Sequence, residues 1–303
     1  MSQIPPGGGI LLVDKPEGPT SHDVVGWVRR ALRERRVGHT GTLDPFASGL
    51  LVLCVGPATR LVPYLVGADK TYVAEARLGV GTDTLDREGA PVTEDEVWAG
   101  LSETVVVSAL AEFQGDLQQV PPAFSAKKVG GEAAHRKARR GEAVKLDPIS
   151  VTIHEIEALE VELPRVRFRV RVSSGTYIRA LARDLGTALG TAAHLTHLRR
   201  TAVGPWSVEE ALSGDPRENG IPADAWISPL DALVEWPRLA LGDEEALRLA
   251  QGQRIRLQGV EDGPVAAHWK GSLLAVCDVV ELSLIHISEP TRLDARSRMP
   301  SSA

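Results

Sequence analysis

Cysteine is almost absent from this chain: Cys54 and Cys277 are the two in 303 residues, and neither belongs to a CxxC or a Cys/His cluster. That scarcity excludes a disulfide framework and a thiolate zinc site. Cys54, inside the apolar run 50–55, reads as a small core residue. No uncharged apolar stretch approaches the roughly 18 residues of a membrane helix, so no membrane association is expected. The opening MSQIPPGGGILLVDKP lacks a basic stretch followed by a long apolar one, so no secretory leader is read and a cytoplasmic location is expected. The glycines at 7–9 precede a strand rather than follow one, which rules out a dinucleotide fingerprint. GTDTLDREG (81–89) holds Asp83 and Asp86 but lacks the ligand spacing and distal Glu of an EF-hand, so it reads as a polar loop. No internal repeat and no low-complexity segment is present.

What is there is a core and a segregated charge. With 43% hydrophobic residues the chain can bury one large domain, or a large one and a small one. The net charge is −6, which by itself argues against a polyanionic partner. Its distribution argues the other way: residues 29–36 carry net +4, 127–145 net +5 and 165–200 net +7, leaving −22 for the remainder. A chain so divided can present a basic face to phosphates while staying acidic as a whole.

Periodicity supplies the elements. GILLVDKP is a short apolar strand stopped by Pro16. In PTSHDVVGWVRRALRER, Thr20 or Ser21 is the N-cap, Asp23 lies in the first turn, and Val24, Val28, Ala31 and Leu32 form the apolar stripe of a helix. LLVLCVG reads as a buried strand and KTYVAEARLG (70–79) as a second. TEDEVWAGL (93–101) opens like a capped helix. The Pro pair, Gly pair and basic cluster of 114–145 predict an extended excursion rather than core. RVRFRVRV (165–172) alternates strictly, Val166, Phe168, Val170 and Val172 on one side and four Arg on the other. GTYIRALARDLGTALG predicts a helix with Ile178, Leu181, Ala182 and Leu185 inward, and HLTHLRRTAVGPW (194–206) a further strand. After about Ile227 a short helix and a hairpin around Lys270-Gly271 suggest a small accessory module. Residues 282–292, LSLIHISEPTR, are what the codons of a sequencing-library adapter encode, so 282–303 are expected to be read-through rather than gene product.

RRVGHTGTLDPFASGLLVLCVG (35–56) poses the chemical question. Asp44-Pro45 initiates a turn, as Asp often does. Yet Gly38, Gly41 and Gly49 allow a close backbone approach, and a loop backed by a buried strand is a rigid place to hold one side chain.

These segments resemble the TruB family of pseudouridine synthases. GHTGTLDPFASGLL is similar to that family's catalytic loop, with Asp44 in the nucleophile's place. GILLVDKPEGPTSHDVV resembles its opening Lys-Pro segment, KTYVAEARLGVGTDTLDREG its tyrosine strand, SSGTYIRALARDLG its arginine motif and AHLTHLRRTAVGPW its closing motif. They occur in family order across residues 10–206.

The resemblance implies an α/β (α+β) pseudouridine synthase fold, its mixed and largely antiparallel central sheet flanked by helices, with a truncated PUA-like C-terminal module. The expected division is a catalytic domain over 1–227, carrying the basic RNA-binding excursion 114–145, and the module over 228–281. The implied activity isomerises the T-loop uridine of tRNA, position 55, to pseudouridine by base flipping, without cofactor or metal. No protein partner is required and a monomer is expected. By resemblance Asp44 is the nucleophile, attacking C1′ or C6; Tyr72 stacks on the flipped uracil and takes the C5 proton; Arg179 pairs with Asp44. His39 and Leu198 lie beside the target nucleotide, and Lys15 marks the Lys-Pro segment as substrate-binding. Lys127, Lys128, Arg136, Lys137, Arg139 and Arg140 are the phosphate-contact candidates. The rival readings are a non-catalytic tRNA-folding module and a guide-RNA-dependent relative.

Overall fold

A computed structural model of the chain describes residues 4–125, 127–129, 132–133, 137, 140, 142, 146–256, 261–280 and 283–288. They fall into two compact units, one of residues 1–44, 50–67 and 208–303, the other of residues 45–49 and 68–207.

In the first unit, strand β1 (Gly9–Lys15) is buried at every residue but Asp14. It lies beside β3 (Ser48–Val55), whose other partner is the short β2 (Val37–His39), antiparallel with Val37 opposite Val55. Helix α1 (Ser21–Leu32) starts at Thr20, not Ser21: the Thr20 hydroxyl accepts from the Asp23 amide at 3.1 Å, and the Asp23 carboxylate accepts from the Thr20 amide at 2.8 Å. This reciprocal box satisfies two otherwise orphaned N–H groups. Val24, Val25 and Val28 bury the helix's apolar face against Leu11, Val13, Leu51, Leu53 and Val55.

The second unit is a mixed sheet. Its strands are β4 (Lys70–Leu78), the hairpin β5 (Val80–Thr82) and β6 (Pro91–Glu94), β7 (Gly115–Gln119), the hairpin β8 (Lys128–Val129) and β9 (Glu132–Ala133), β10 (Ile149–Glu162), β11 (Arg165–Val172), β12 (Ala193–Val203) and the short β13 (Trp206–Ser207). The main order runs β12-β4-β11-β10-β7, every pairing antiparallel. The first residues of β3 join β12 in parallel, Ser48 opposite Arg199. Helix α2 (Glu103–Ala111) packs on β10, and α3 (Ile178–Ala188) packs on β12 and β4. Ile178, Leu181, Ala182 and Leu185 of α3 are all buried, as the 3.6-residue period requires.

Two expectations need correction. The helix does not begin at Thr93, which lies in β6 opposite Gly81. It begins at Ser102, whose hydroxyl accepts from the Val105 amide, with Glu103 in the first turn; of the acidic run, Glu94 ends β6 and Asp95 and Glu96 belong to the connection before the helix. The excursion, too, starts later than its composition suggests. Residues 115–119 are a sheet strand paired with β10, and Gln119 is fully buried.

The C-terminal residues of the first unit form a separate five-stranded sheet, ordered β14 (Arg238–Ala240), β16 (Gly263–Trp269), β17 (Ser272–Val280), β18 (Ser283–Ser288), β15 (Ile255–Arg256). Helix α4 (Asp243–Ala250) buries Ala246 and Leu249 in the same core as Val265, Ala267, Trp269, Cys277 and Val279. The hairpin turns at Lys270-Gly271, both with positive φ. Leu284 of β18, inside the stretch expected to be read-through, also enters that core. Backbone pairing and alternate apolar side chains carry this contact, and a strand of any origin can supply them. Among the described residues no helix is long and apolar enough to cross a membrane.

Candidate active site

The Asp44 loop is built from contacts within the first unit. Lys15 is fully buried, and its ammonium donates to the carbonyls of Pro16 at 2.9 Å and Pro19 at 2.8 Å. Those bonds fix the turn that delivers Thr20 to its cap and Ser21 to the next contact, so the geometry gives Lys15 a positioning part. Because Thr20 does the capping, the Ser21 hydroxyl is spent elsewhere. It accepts from the Leu43 amide at 2.8 Å and donates to the Leu43 carbonyl at 3.0 Å, with Ser21 2% exposed. One hydroxyl therefore satisfies both backbone groups of the residue before Asp44. Upstream, Gly38 and His39 are still strand, paired with Cys54 and Leu53, and the Thr40 amide donates to Val52 at 3.1 Å. His39 meets His22 of α1 edge to face, ring centroids 6.0 Å apart. Asp44 itself is half-buried, as is Pro45 after it, and the pair lies between buried Leu43 and Phe46 in sequence.

Gly49 serves packing rather than the approach of a ligand. Its φ is +106°, and a Cβ there would lie 2.2 Å from the Arg200 carbonyl oxygen. Only glycine allows β3 to pass so close to β12. Gly38 carries no such demand, since its nearest neighbour to a Cβ would be a Val62 methyl at 3.7 Å.

In the second unit, Tyr72 lies opposite Val170 on one side and Arg200 on the other, while Leu198 lies opposite Ala74. Directly opposed residues share a face, as do residues two apart on a strand. Tyr72, Leu198 and Arg200 are thus on one face, and all three are buried. Lys70, one strand repeat before Tyr72, donates to the Ala68 carbonyl at 2.6 Å and the Ser174 hydroxyl at 3.3 Å. Burial, with the Arg200 charge adding to it and Asp69 opposing, pushes its pKa down to about 8.

Arg179, the second residue of α3, is 6% exposed. Its guanidinium donates to the Thr84 carbonyl at 2.8 Å, the Phe124 carbonyl at 2.9 Å and the Asp86 carboxylate at 3.2 Å. Asp86 is held in turn: its other oxygen accepts from the Thr84 hydroxyl at 2.6 Å and the Glu88 amide at 3.0 Å. A buried ion pair persists when its remaining lone pairs and protons are satisfied in this way. Reading 81–89 as a plain polar loop misses Asp86; the density of acids in that loop was the one available signal. Among the described residues no three His, Cys, Asp or Glu side chains gather as a metal site would need.

The phosphate candidates separate. The Lys127 ammonium donates to the Asp147 carbonyl at 3.2 Å. Arg140 forks onto Glu132 at 2.7 and 2.9 Å and also meets Glu142 at 2.7 Å, contacts that raise its pKa above the ordinary arginine value. Lys137 is half-buried at the base of the turn that Arg140 closes. Arg136, Arg139 and the side chain of Lys128 lie outside the described residues. The arginines of 165–200 are not a free basic face. On β11, Arg165, Arg167, Arg169 and Arg171 stand opposite Glu162, Glu160, Glu157 and Glu155 of β10. Ion pairs of 3.1, 2.7 and 3.0 Å join Arg165, Arg169 and Arg171 to these partners, and Arg171 also reaches Asp69 at 3.1 Å. Arg200 is 2% exposed. The β11 half of the run is matched by register, which a count along the chain cannot show.

The model of the TruB family pseudouridylate synthase N-terminal domain matches residues 29–178, and that of the tRNA pseudouridylate synthase B C-terminal domain matches 179–216. Fold and sequence together thus define a pseudouridine synthase, an RNA-modifying isomerase. A tRNA pseudouridine synthase B of Arthrobacter sp. is 45% identical over 265 residues, 86% of each chain. One of Burkholderia lata is 43% identical over 277 residues, 90% of this chain and 84% of that one. Among solved structures, a chain of a Cbf5-Nop10-Gar1 complex is 28% identical with a TM-score of 0.71 over 95% of this chain and 86% of its own. A chain of an H/ACA RNP bound to a substrate RNA containing 2′-deoxyuridine is 27% identical, TM-score 0.70, over 93% and 84%. The chain belongs to the TruB family, and its activity is tRNA pseudouridine synthesis.

Proposed function

We propose that the chain converts the T-loop uridine of tRNA, position 55, to pseudouridine, with Asp44 as nucleophile. The observation that carries this is the Asp44 loop: a carboxylate directly after a residue whose amide and carbonyl are both bracketed by buried Ser21, in a chain 45% identical to a tRNA pseudouridine synthase B. Asp44 attacks C1′ or C6 of the target nucleotide, the N1–C1′ bond breaks and the uracil turns. C5 then bonds to C1′, the C5 proton leaves, N1 takes up a proton, and the carboxylate is released unchanged. Atoms are conserved, as an isomerisation demands. The base must first leave its stack, at a cost of a few kcal/mol.

Tyr72 stacks on the flipped base and accepts the C5 proton, with Leu198 packing beside it on the same sheet face. Arg179, itself oriented by Asp86, keeps Asp44 ionised and aimed. His39 fills loop space near the target nucleotide, and Lys15 acts through the turn before α1. Phosphate contacts fall to the excursion after Gln119, through Lys127, Lys128, Arg136, Lys137, Arg139 and Arg140, and not to the β11 arginines. The sheet beyond residue 228 is a small RNA-binding module for the acceptor side of the substrate.

The test is tritium release from a T-arm hairpin labelled at uridine C5, with the parent and Asp44→Ala. Release by the parent and none by the variant supports the reading, and release that persists in the variant ends the assignment of Asp44. The likeness to a chain of an H/ACA RNP favours a second reading, guide-RNA dependence. Release from the bare hairpin by the isolated chain excludes it.

A further inference from the structure

Gln119 ends β7, is fully buried, and sits where the sheet gives way to the excursion. Its side chain spends both functions of the amide on one residue of another element. The oxygen accepts from the Tyr177 amide at 2.8 Å, and the nitrogen donates to the Tyr177 carbonyl at 3.1 Å. Tyr177 is the N-cap of α3 and makes no side-chain cap bond of its own. Gln119 therefore supplies, from 58 residues away in sequence, the acceptor for the N-cap amide that the N3 side chain of a capping box would have provided, N3 here being Ala180. Two residues further on is Arg179. The next stretch of chain continues along the same helix: the Val120 carbonyl accepts from Arg183 at 3.0 Å and the Phe124 carbonyl from Arg179 at 2.9 Å. Arg179 and Arg183, one helical turn apart, present their side chains to the same side. Segment 119–124 is thus stapled along the first two turns of α3 at three points.

We propose that Gln119 is a positioning residue for pseudouridine formation: it fixes the start of α3, and with segment 119–124 sets the orientation of the Arg179 guanidinium. This rests on the catalytic reading of Arg179 above. Local capping does not explain the arrangement, because Tyr177 makes no side-chain cap bond and Ala180 cannot close a capping box, while a buried glutamine takes the N-cap amide from a distant strand. A buried amide with both functions matched to one backbone residue specifies position, since a shift of either element leaves donors and acceptors unpaired.

The test compares the full chain with Gln119→Ala, the near-isosteric Gln119→Glu, Arg179→Lys and the Gln119→Ala/Arg179→Lys double variant. Each is measured by single-turnover tritium release from the C5-labelled hairpin, by hairpin affinity and by thermal melting. Gln119→Ala is expected to slow the single-turnover step by about 10- to 100-fold, the scale on which a catalytic group displaced by about 1 Å acts, with affinity unchanged. In the Arg179→Lys background the same substitution is expected to add little. Gln119→Glu keeps the acceptor for the Tyr177 amide and loses the donor to its carbonyl, so it should fall between parent and alanine variant; it carries the test if the alanine variant does not fold. Parental rates in the folded glutamine variants overturn the inference, as does a loss that multiplies in full on top of Arg179→Lys. A parental rate in Arg179→Lys itself overturns the catalytic reading of the arginine, and that outcome is distinct because it needs no glutamine variant.

Discussion

Ser21→Ala is the substitution that most directly tests how the Asp44 loop is held. The serine hydroxyl bonds both backbone groups of Leu43, at 2.8 and 3.0 Å, in a site 2% exposed to water. Deleting it strands a buried N–H and a buried C=O, each worth about 1–3 kcal/mol when left unmade. Partial relief by local movement leaves an expected loss of roughly 2–4 kcal/mol, and that movement displaces Asp44. The single-turnover rate should fall about 10- to 100-fold, the range for a displacement near 1 Å, with hairpin affinity little changed. The control is one residue away. Thr20→Ala removes the α1 cap at a cost of about 1 kcal/mol, and among the described residues the Thr20 hydroxyl bonds Asp23 and not the loop. Denaturant melts and C5-tritium release on both variants separate helix stability from loop position. The reasoning is refuted if folded Ser21→Ala turns over at the parental rate, or if Thr20→Ala loses as much rate as Ser21→Ala.

Gly49→Ala forces a Cβ to 2.2 Å from the Arg200 carbonyl at a φ of +106°, and should destabilise by about 2–4 kcal/mol. Gly38→Ala, with its nearest contact at 3.7 Å, should melt like the parent, and equal melts for the two variants would contradict this account. Lys70 titrates near pH 8 when folded against 10.5 when unfolded. Between those values the unfolded chain holds a proton that the folded one has released, so stability rises with pH across the window, by up to roughly 3 kcal/mol. Lys70→Met should flatten that rise in melts from pH 7 to 10; a rise of equal size in the variant would rule Lys70 out as its source. Arg169→Ala should leave the slope of log affinity against log salt unchanged, because Glu157 already holds Arg169 at 2.7 Å. A phosphate contact would lower that slope by about 1.

The sequence carried the framework because its evidence is local. Alternation in RVRFRVRV, the stripe of α1 and the inward positions of α3 each depend on a few neighbouring residues, and each element lies where its period places it, except that in the expected α1 stripe Ala31 is exposed and Leu32 only half-buried, while Val25 takes the buried place. The Asp44 turn was also legible, since a Gly- and Pro-marked loop abutting an apolar run is unusual along any chain. What could not be read is how that turn is held. Ser21 and Leu43 are 22 residues apart, Gln119 and Tyr177 58, and Asp86 and Arg179 93. Each pair joins a polar residue of unremarkable local pattern to one that the fold brings beside it. For Ser21 a trace existed: two candidate caps stood side by side, only one could serve, and the hydroxyl left over had to be satisfied elsewhere once buried.

Charge shows the same limit with the opposite sign of error. Counted along the chain, 165–200 is the most basic stretch of the protein. The acids that answer it lie in β10, outside the counted window, and the antiparallel register sets them one to one against the β11 arginines. A slip of one residue would turn the glutamates to the other face and leave the arginines bare, so the neutrality belongs to the register and not to the composition. The 127–145 stretch has no such ladder opposite it among the described residues, and Arg140 is answered there by Glu132 and Glu142 of its own segment. Exposure does not separate the two sets, since Glu132 and Glu142 stand 34% and 49% exposed and Glu155, Glu157 and Glu162 of β10 59–69%. What separates them is that the β10 acids are set against their arginines by a strand register, while Glu132 and Glu142 meet Arg140 within one short segment. That difference, rather than net charge, is what supports the proposal that RNA contact falls to the excursion and not to β11.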